Sequence, residues 1–454
     1  MKLIYGVKDK PNFGQLLIFA IQQLLAIMTA TLVVPVIINS SCGTNMSSAA
    51  ALVGAGLGTL FYVLVTKKKS PVFLGSSFAF IGSMIAAFAG ATSMQLGFLG
   101  LILGAIFAGL VYVIIAIIVK FAGVKWIDKV MPVAVIGPTV AIIGLSLAGN
   151  AIGDLTKGSV PGVEASPLIA VLCGLVTLII TICCASYGKR MLRMIPFIFG
   201  IIGGYITAAL FTFVGYRFNI DAIKILNFQP FIDLIANGIT RETFFAAPDF
   251  TFMTALKGVG DLDFAYIGTI AVAYVPVAFV VFAEHIADHK NLSSIIESDL
   301  LEEPGLHRTL IGDGVGSIIG SIFGGCPNTT YGESVGCVAI TRNASVYTII
   351  TAAILAIITA FISPFIAFVN SIPSCVMGGV CMALYGFIAV SGLKMVQKVN
   401  LNLNKNLFVV STILIAGIGG LTLTFGKITI TSVASALILG IIVNLILSKA
   451  PDQE

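Results

Sequence analysis

The stretch GGCPNTTYGESVG, residues 324–336, interrupts an apolar part of the chain with a proline, two threonines, a tyrosine and the carboxylate of Glu333. Proline disfavours a continuous helix, and a charged group is costly in a lipid bilayer. Backbone that is not helical persists at membrane depth only where protein buries it or where it lines a cavity. If the chain spans a membrane, this stretch therefore predicts a broken membrane segment beside a cavity.

The composition indicates a membrane protein. Hydrophobic residues make up 58% of the 454 residues and charged residues only 10%, whereas a soluble domain has about 25% charged residues. The 48 glycines suit the close helix packing that lipid favours. The eight cysteines lack metal-type spacing and are interpreted as small buried hydrophobes. We expect a polytopic membrane protein without a metal site or a cofactor.

Hydropathy predicts fourteen membrane segments, of which the third and the tenth are short and interrupted. The first seven segments cover residues 13–39, 48–66, 71–90, 95–120, 131–150, 167–186 and 194–216. The second seven cover residues 264–288, 309–325, 327–342, 346–369, 373–394, 407–425 and 428–448.

The positions of Lys and Arg support this assignment. Nineteen of the 25 fall at segment ends on the same side as the N-terminus, and six fall on the other side. Four of those six lie in the long connection 217–263, where the positive-inside rule is weak. The distribution predicts that both termini are cytoplasmic in a multi-pass protein of the cell membrane.

Seven segments in each half imply an inverted repeat, because an odd number of segments reverses the orientation of the second half. Phe13 opens the first half and Phe264 opens the second, an offset of 251 residues. We predict a first repeat over 1–216, an extracellular connection over 217–263 and a second repeat over 264–454. The fold class is accordingly an all-α polytopic membrane protein with two inverted seven-segment repeats.

The interrupted segments occupy corresponding places in the two halves. Pro71 opens the first, SPVFLGSSFAF (70–80), and Pro327 opens the second, an offset of 256 residues. Such a pair is the best sequence indication of a transporter's binding site. We predict that segments 3 and 10 each contain a short strand, and that the two strands pair. The candidate caps of the half-helices that follow are hydroxyl residues, Ser76 or Ser77 and Thr329 or Thr330.

Only four of the twenty acidic residues fall within the predicted segments, and each is a candidate functional group. Glu284 and Asp288 are four residues apart and share one helical face. Glu333 falls at the start of the second half-helix, where the helix dipole stabilises a carboxylate. The alternatives are a capping role for Glu333, a structural hydrogen bond for Glu284, and purely structural roles for Asp288 and Asp313.

Phe78, in GSSFAF (75–80), offers an aromatic face to a flat ligand, although an aromatic residue in a membrane segment usually serves packing. It belongs to the segment that is expected to face Glu333. Three histidines are too few and too poorly spaced for a metal site. His285 and His289 are interpreted as hydrogen-bonded structural groups or as residues at the cytoplasmic end, and His307 falls in the loop EEPGLHR.

Over nearly its whole length the chain resembles the nucleobase–ascorbate transporter family. The motifs that carry the resemblance run from QQLLAIMTATLVVPV (22–36) through GSSFAF, FAEHI (282–286) and EPGLHR (303–308) to PNTTYGE (327–333). The family signature is Gln, Glu or Pro, then Asn, any residue, Gly, four residues, Thr, and Arg, Lys or Gly. Here it is represented by Glu333, Ser334, Val335, Gly336, Thr341 and Arg342.

The chain departs from the family pattern at two positions. Ser334 replaces the usual Asn of the signature. Gln23 stands where many members have a His after a Gln in the first segment. Serine lacks the two donors of the amide, so the local bracing of the half-helix is an open question.

The resemblance implies a core domain, residues 13–120 plus 264–369, that moves against a gate domain, residues 131–216 plus 373–448. It also implies that Glu284 and Glu333 hydrogen-bond a nucleobase and that Phe78 stacks on it. The backbone of Ala30, Tyr331 and Gly332 is expected close by. Members are often homodimers joined through their gate domains. Glu333 at the first signature position resembles the branch of the family that transports uracil.

The chemistry of uracil suits these groups. Its two N–H groups match carboxylate oxygens, its two carbonyls match backbone N–H groups, and its ring matches an aromatic face. Two neighbouring acids in a site of low dielectric resist joint ionisation, so we expect Glu284 to take up a proton, with Asp288 as relay. Asp313 is a further candidate for proton coupling. The expected function is the import of uracil by proton symport.

Four alternatives remain open on the sequence. A xanthine or other purine permease would use the same fold. An anion exchanger or channel of similar fold would need a neutral or cationic site, which Glu333 disfavours. An intramembrane enzyme would need a nucleophile–base pair or a metal cluster, and a receptor or scaffold would leave the four acids without a role. We therefore expect a transporter and not an enzyme.

Overall fold

The computed structural model describes residues 3–123, 125–189, 191–236, 238–425 and 428–448. Four cations used to predict the orientation lie outside these ranges: Lys2, Arg190, Lys427 and Lys449. Within the described residues, eight helices are long and apolar enough to cross a membrane, and four shorter apolar helices accompany them. The prediction of a helical chain with many apolar spans is thus confirmed.

The helices before residue 219 are α1 (Phe13–Cys42), α2 (Ser48–Val65), α3 (Ile81–Ala89), α4 (Met94–Ala122), α5 (Lys125–Val130), α6 (Val133–Ser146), α7 (Ala148–Leu155), α8 (Pro167–Tyr187), α9 (Met191–Met194) and α10 (Pro196–Phe218). The connection over 217–263 contains short helices: α11 (Gln229–Ile235), α12 (Arg241–Phe244) and α13 (Thr251–Ala255). The helices after it are α14 (Phe264–Ile296), α15 (Leu306–Gly324), α16 (Gly332–Thr341), α17 (Val346–Ala360), α18 (Ser363–Ser371), α19 (Ser374–Val396), α20 (Asn404–Ile418) and α21 (Ser432–Leu447).

Two strands of three residues each interrupt the helices, β1 (Leu74–Ser76) and β2 (Asn328–Thr330). They pair antiparallel, with Gly75 opposite Thr329. Bonds from Ser77 N to Pro327 O, 2.9 Å, and from Tyr331 N to Phe73 O, 3.3 Å, continue the ladder at both ends. The backbone groups of the two broken segments therefore satisfy one another inside the protein.

Neighbouring helices satisfy the outer edges of this small sheet. Thr59 Oγ1 on α2 accepts from Leu74 N at 2.9 Å and donates to Leu74 O at 3.3 Å. Ser317 Oγ on α15 donates to Asn328 O. Side-chain hydroxyls thus hydrogen-bond the backbone at both outer edges of the sheet. Strands at membrane depth require such protein partners, because lipid provides none.

Helices α2 and α15 lie close enough together to bring these hydroxyls to the sheet. A Cβ at Gly54 would collide with the backbone of Gly320, and a Cβ at Gly58 would collide with the backbone of Gly316. Small residues permit this backbone approach, as is usual between helices in lipid. Helix α15 also packs on α4, while α19 packs on α6, α7 and α8.

The end of the chain differs from the predicted segments 407–425 and 428–448. Helix α20 ends at Ile418, after which Gly420 adopts a positive φ of 72°. An antiparallel hairpin follows, formed by β3 (Leu423–Phe425) and β4 (Ile428–Ile430). Threonine alternates with larger apolar residues over this stretch, which is a strand pattern rather than a helical one.

The eighth segment is longer than predicted. The sequence predicts it over 264–288, whereas α14 continues to Ile296, beyond Lys290. Asp263 caps its first turn by accepting from Tyr266 N. The acidic pair Glu284 and Asp288 therefore lies in the interior of one continuous helix.

Asn328 connects β2 to both flanking helices and provides a test of this core. Its side chain is 1% exposed, and its Nδ2 donates to Gly54 O at 2.9 Å and to Gly316 O at 3.4 Å. We expect Asn328→Ala to destabilise the protein by about 1–3 kcal/mol, because a buried amide and its partners are lost. The measurement is the apparent melting temperature in detergent.

The matched control is Asn402→Ala, because Asn402 is exposed in the loop before α20. Its melting temperature should equal that of the unaltered protein. Equal melting temperatures for both variants would show that the position of β2 does not depend on the Asn328 amide.

Candidate functional site

A cavity of about 360 Å³ lies where the two broken segments meet α6, α14 and α19. Six of the eight site residues predicted from the sequence line it: Phe78, Glu284, Asp288, Tyr331, Gly332 and Glu333. Its size and its mixture of aromatic, apolar and a few polar groups are typical of a small-molecule site.

The broken segments bring helix N-termini to this cavity. After β1, a short 3-10 helix (Phe78–Phe80) leads into α3, and after β2 the chain turns at Tyr331 into α16. The predicted side-chain caps are wrong, since neither Ser77 nor Tyr331, the two cap residues, makes a side-chain capping bond. The side chain of the cap residue therefore does not occupy the first amides of α16, which lie at the positive end of the helix dipole.

Three carboxylates face the cavity from two helices. Glu284 and Asp288 are one turn apart on α14, and Glu333 lies in the first turn of α16. All three side chains are half-buried. Simultaneous ionisation of all three carboxylates is unfavourable in a site of low dielectric. The cavity therefore favours a proton or a hydrogen-bond donor near these oxygens.

Asp288 is linked to the strand pair. Its Oδ2 accepts from Thr330 Oγ1 at 3.0 Å. A Cβ placed on Gly332 would lie 3.7 Å from Asp288 Oδ1, so the absence of a side chain at this position leaves room beside the carboxylate. The acidic face of α14 therefore rests directly against the start of α16.

The aromatic side of the cavity is formed by Phe78. Its ring is half-buried and meets the ring of Tyr385 on α19 edge to face, with centroids 6.1 Å apart. The buried Tyr331 lies behind it, and its hydroxyl donates to Ser76 O at 2.6 Å. Phe78 thus presents one ring to the cavity from a segment whose backbone is tied to β2.

Two predicted site residues do not line the cavity. Ala30 is 2% exposed within α1. Asp313 is completely buried in α15, where its Oδ2 lies 2.7 Å from His285 Nδ1, and His285 Nε2 lies 2.9 Å from Thr309 Oγ1. Asp313 therefore joins α15 to His285, a residue of α14 that does not line the cavity.

The opposite wall of the cavity comes from residues that the sequence did not indicate. Helices α6 and α19 contribute mainly apolar side chains: Val140, Ile143, Leu384, Phe387, Ile388, Ser391 and Met395. Apolar residues within apolar helices carry no signal that separates a cavity wall from lipid contact. Ser77 and Thr329, also in the lining, were predicted only as possible caps.

A second cavity of about 170 Å³ lies on the other side of the α16 start. It shares Glu333 and Phe387 with the first cavity, and it also contains Thr29, Arg193 and Cys337. Glu333 and Phe387 thus form the partition between the two spaces.

Comparisons with known proteins point to one family. The Permease family model Xan_ur_permease matches residues 14–426. The uracil permease of Bacillus subtilis is 39% identical, over 100% of this chain and 97% of the relative. The uracil permease of Escherichia coli K12 is 34% identical, over 97% of this chain and 93% of the relative.

Solved structures show the same fold at low sequence identity. The transmembrane domain of a cyanobacterial bicarbonate transporter, BicA, has a TM-score of 0.60 and 14% identity, covering 97% of this chain and 99% of that domain. The murine anion transporter Slc26a9 in its inward-facing state also has a TM-score of 0.60, with 12% identity, covering 97% of this chain and 69% of that one. These two likenesses concern the fold alone.

Proposed function

The chain belongs to the Permease family, and on this basis we propose that it imports uracil across the cell membrane by proton symport. Full-length relatives at 34–39% identity are uracil permeases. The observation that carries the site assignment is that Phe78, Glu284 and Glu333, which are far apart in sequence, line one cavity.

Each chemical feature of uracil has a partner in this cavity. The carboxylates of Glu284 and Glu333 accept from the two ring N–H groups, and the amides at the start of α16, from Gly332 onward, donate to a carbonyl. Phe78 stacks on the ring. A ligand that leaves one of these buried groups unpaired loses about 1–3 kcal/mol, which excludes molecules with a different pattern of donors.

Proton coupling follows from the same acids. Glu284 takes up a proton when uracil binds, and Asp288, one turn away, relays it along α14. The protonated, loaded site then carries less uncompensated charge through the change between outward and inward access. Asp313 contributes indirectly, because its contact with His285 holds α14 against α15 next to Glu284.

The proposed architecture retains fourteen segments in two inverted repeats, 1–216 and 264–454, with both termini cytoplasmic. A core domain, 13–120 plus 264–369, holds the carboxylates and Phe78. A gate domain, 131–216 plus 373–448, supplies the apolar wall and moves against the core. The cavity lies between these two sets of residues, which supports a mechanism of alternating access.

A homodimer joined through the gate domains completes the proposal. Exposed apolar side chains on α8 and α10, among them Leu168, Ile179, Leu210 and Phe213, need either lipid or a second copy to cover them. Cross-linking in native membranes separates these two possibilities, because only a dimer yields a species of twice the mass.

A purine permease is the second candidate, since it would use the same fold. Competition of labelled uracil uptake by unlabelled uracil, xanthine and hypoxanthine distinguishes the two. We expect strong competition from uracil alone. Stronger competition by xanthine would assign the cavity to purines, whereas competition by bicarbonate or chloride would favour an anion exchanger.

The Glu284 carboxylate is the proposed proton carrier, and Glu284→Gln removes its charge while preserving its shape. We expect the variant to lose uphill accumulation of uracil in proteoliposomes with an inward proton gradient, because no proton can be taken up. The measurement is the ratio of initial uptake with the gradient to uptake without it, which should fall to about one.

The matched control is Glu302→Gln, an exposed acid after α14, which should keep the response to the gradient. Counterflow of labelled against unlabelled uracil shows whether Glu284→Gln still carries the substrate. Robust uphill uptake by Glu284→Gln would exclude this residue as the proton carrier.

Stacking on Phe78 gives another test. Aromatic stacking on a base contributes about 1–3 kcal/mol by alanine substitution, so Phe78→Ala should raise the Kd for uracil roughly five- to hundredfold. Phe78→Tyr should remain within about threefold of the unaltered protein, since it keeps the ring. Equilibrium binding of labelled uracil in detergent measures both.

Phe121→Ala serves as the control for this test, because Phe121 is exposed at the end of α4 and does not line the cavity. It should leave the Kd unchanged. A Kd that is the same for Phe78→Ala and Phe121→Ala would show that the ring of Phe78 makes no contact with the bound base.

A further inference from the structure

The two positions at which the sequence departs from the family pattern are in contact, although they are 311 residues apart. The side-chain amide of Gln23 on α1 donates from its Nε2 to the Oγ of Ser334 on α16. Gln23 is 2% exposed and Ser334 is completely buried. The two departures are therefore the donor and the acceptor of one buried hydrogen bond.

The hydroxyl of Ser334 has a second partner in the backbone. It accepts from Phe73 N at 3.0 Å, and Phe73 immediately precedes β1. The carbonyl of Phe73 in turn accepts from Tyr331 N at 3.3 Å. One short side chain thus ties three elements together: α1, the segment that enters β1, and the first turn of α16.

This link lies directly beside the proposed uracil ligand. Ser334 is adjacent to Glu333 in the first turn of α16, and Glu333 lines both cavities. The cap residue Tyr331 makes no side-chain capping bond to this turn, so the Gln23–Ser334 bond braces the start of α16 from α1. A shift of this end would move the Glu333 carboxylate relative to Glu284.

The chemistry of the pair explains why Ser334 is tolerated. A signature Asn would place its amide on α16, whereas here the amide is on α1 and α16 carries a short hydroxyl. An Asn at 334 adds two heavy atoms to a completely buried position that the Gln23 amide already occupies, and overpacking of such a position is destabilising. In this chain the amide of the pair is thus supplied by α1.

We propose that Gln23 and Ser334 form a positioning pair that sets the Glu333 carboxylate for substrate, and that neither residue can be exchanged alone. This inference rests on the proposed function for its uracil-binding readout. The stability readout is independent of the substrate, so failure of the pairing and failure of the uracil assignment can be told apart.

A double-mutant cycle tests the coupling. Gln23→Ala removes the donor, Ser334→Asn adds a second amide to an occupied site, and Gln23→Ala/Ser334→Asn makes room for that amide on α16. We expect each single variant to raise the Kd for uracil at least tenfold and to lower the melting temperature. The double variant should recover to within about threefold of the natural Kd.

Two near-isosteric variants keep the test informative if a cavity or overpacking prevents folding. Gln23→Met retains the size of the side chain without a donor, and Ser334→Ala removes the acceptor. Both should weaken uracil binding at least fivefold. The control is Tyr205→Phe, which removes a hydrogen bond of 2.8 Å to Ser371 between α10 and α18, outside the lining of both cavities.

Tyr205→Phe should lower the melting temperature without changing the Kd, as a purely structural bond would. Effects of Gln23→Ala and Ser334→Asn that simply add in the double variant would overturn the coupling. A lowered melting temperature with an unchanged Kd in Gln23→Met and Ser334→Ala would overturn the positioning role. If the unaltered protein binds no uracil, the melting temperatures of the cycle still decide whether the residues are coupled.

Discussion

The structure depends on the pairing of two extended segments in a region where water cannot hydrogen-bond the backbone. Lipid offers no hydrogen bonds, so each N–H and C=O that leaves a helix needs a protein partner. The strands β1 and β2 provide such partners for one another, and Thr59 and Ser317 complete the outer edges. This arrangement allows the chain to place irregular backbone inside an otherwise helical protein.

The same pairing explains where the polar groups lie. Once β1 and β2 are fixed together, the half-helices that follow must start from a common point, and the residues of their first turns converge. Thr330 at the end of β2 then reaches Asp288 on α14, and Glu333 comes to lie across from Glu284. Three carboxylates in one cavity are costly in isolation, so a ligand with N–H donors or a proton is the natural complement to them.

The sequence was informative where it breaks a pattern. Pro71 and Pro327 marked the interrupted segments, and three of the four acids within the apolar segments, Glu284, Asp288 and Glu333, line the cavity. The hairpin β3–β4 was missed because a short alternation of Thr with apolar residues is hidden beside two apolar helices. Contacts such as Asp313 with His285, or Gln23 with Ser334, depend on tertiary packing and leave no trace in one sequence.

The contrast between the two cavity walls bears on how the proposed movement can occur. The wall formed by α14, the start of α16, β2 and the residues after β1 is tied by hydrogen bonds. In contrast, α6 and α19 present mostly apolar side chains, whose contacts can re-form after a shift. One hydrogen bond joins the proposed core domain to the proposed gate domain elsewhere. Ser40 Oγ at the end of α1 donates to Asp154 Oδ1 on α7 at 3.0 Å. In the proposed orientation this link is on the outer side, while Ser391 and Met395 extend the cavity towards the end of α19 that carries Lys394. Because the Ser40–Asp154 bond joins the proposed core to the proposed gate, a movement of one against the other would have to break it.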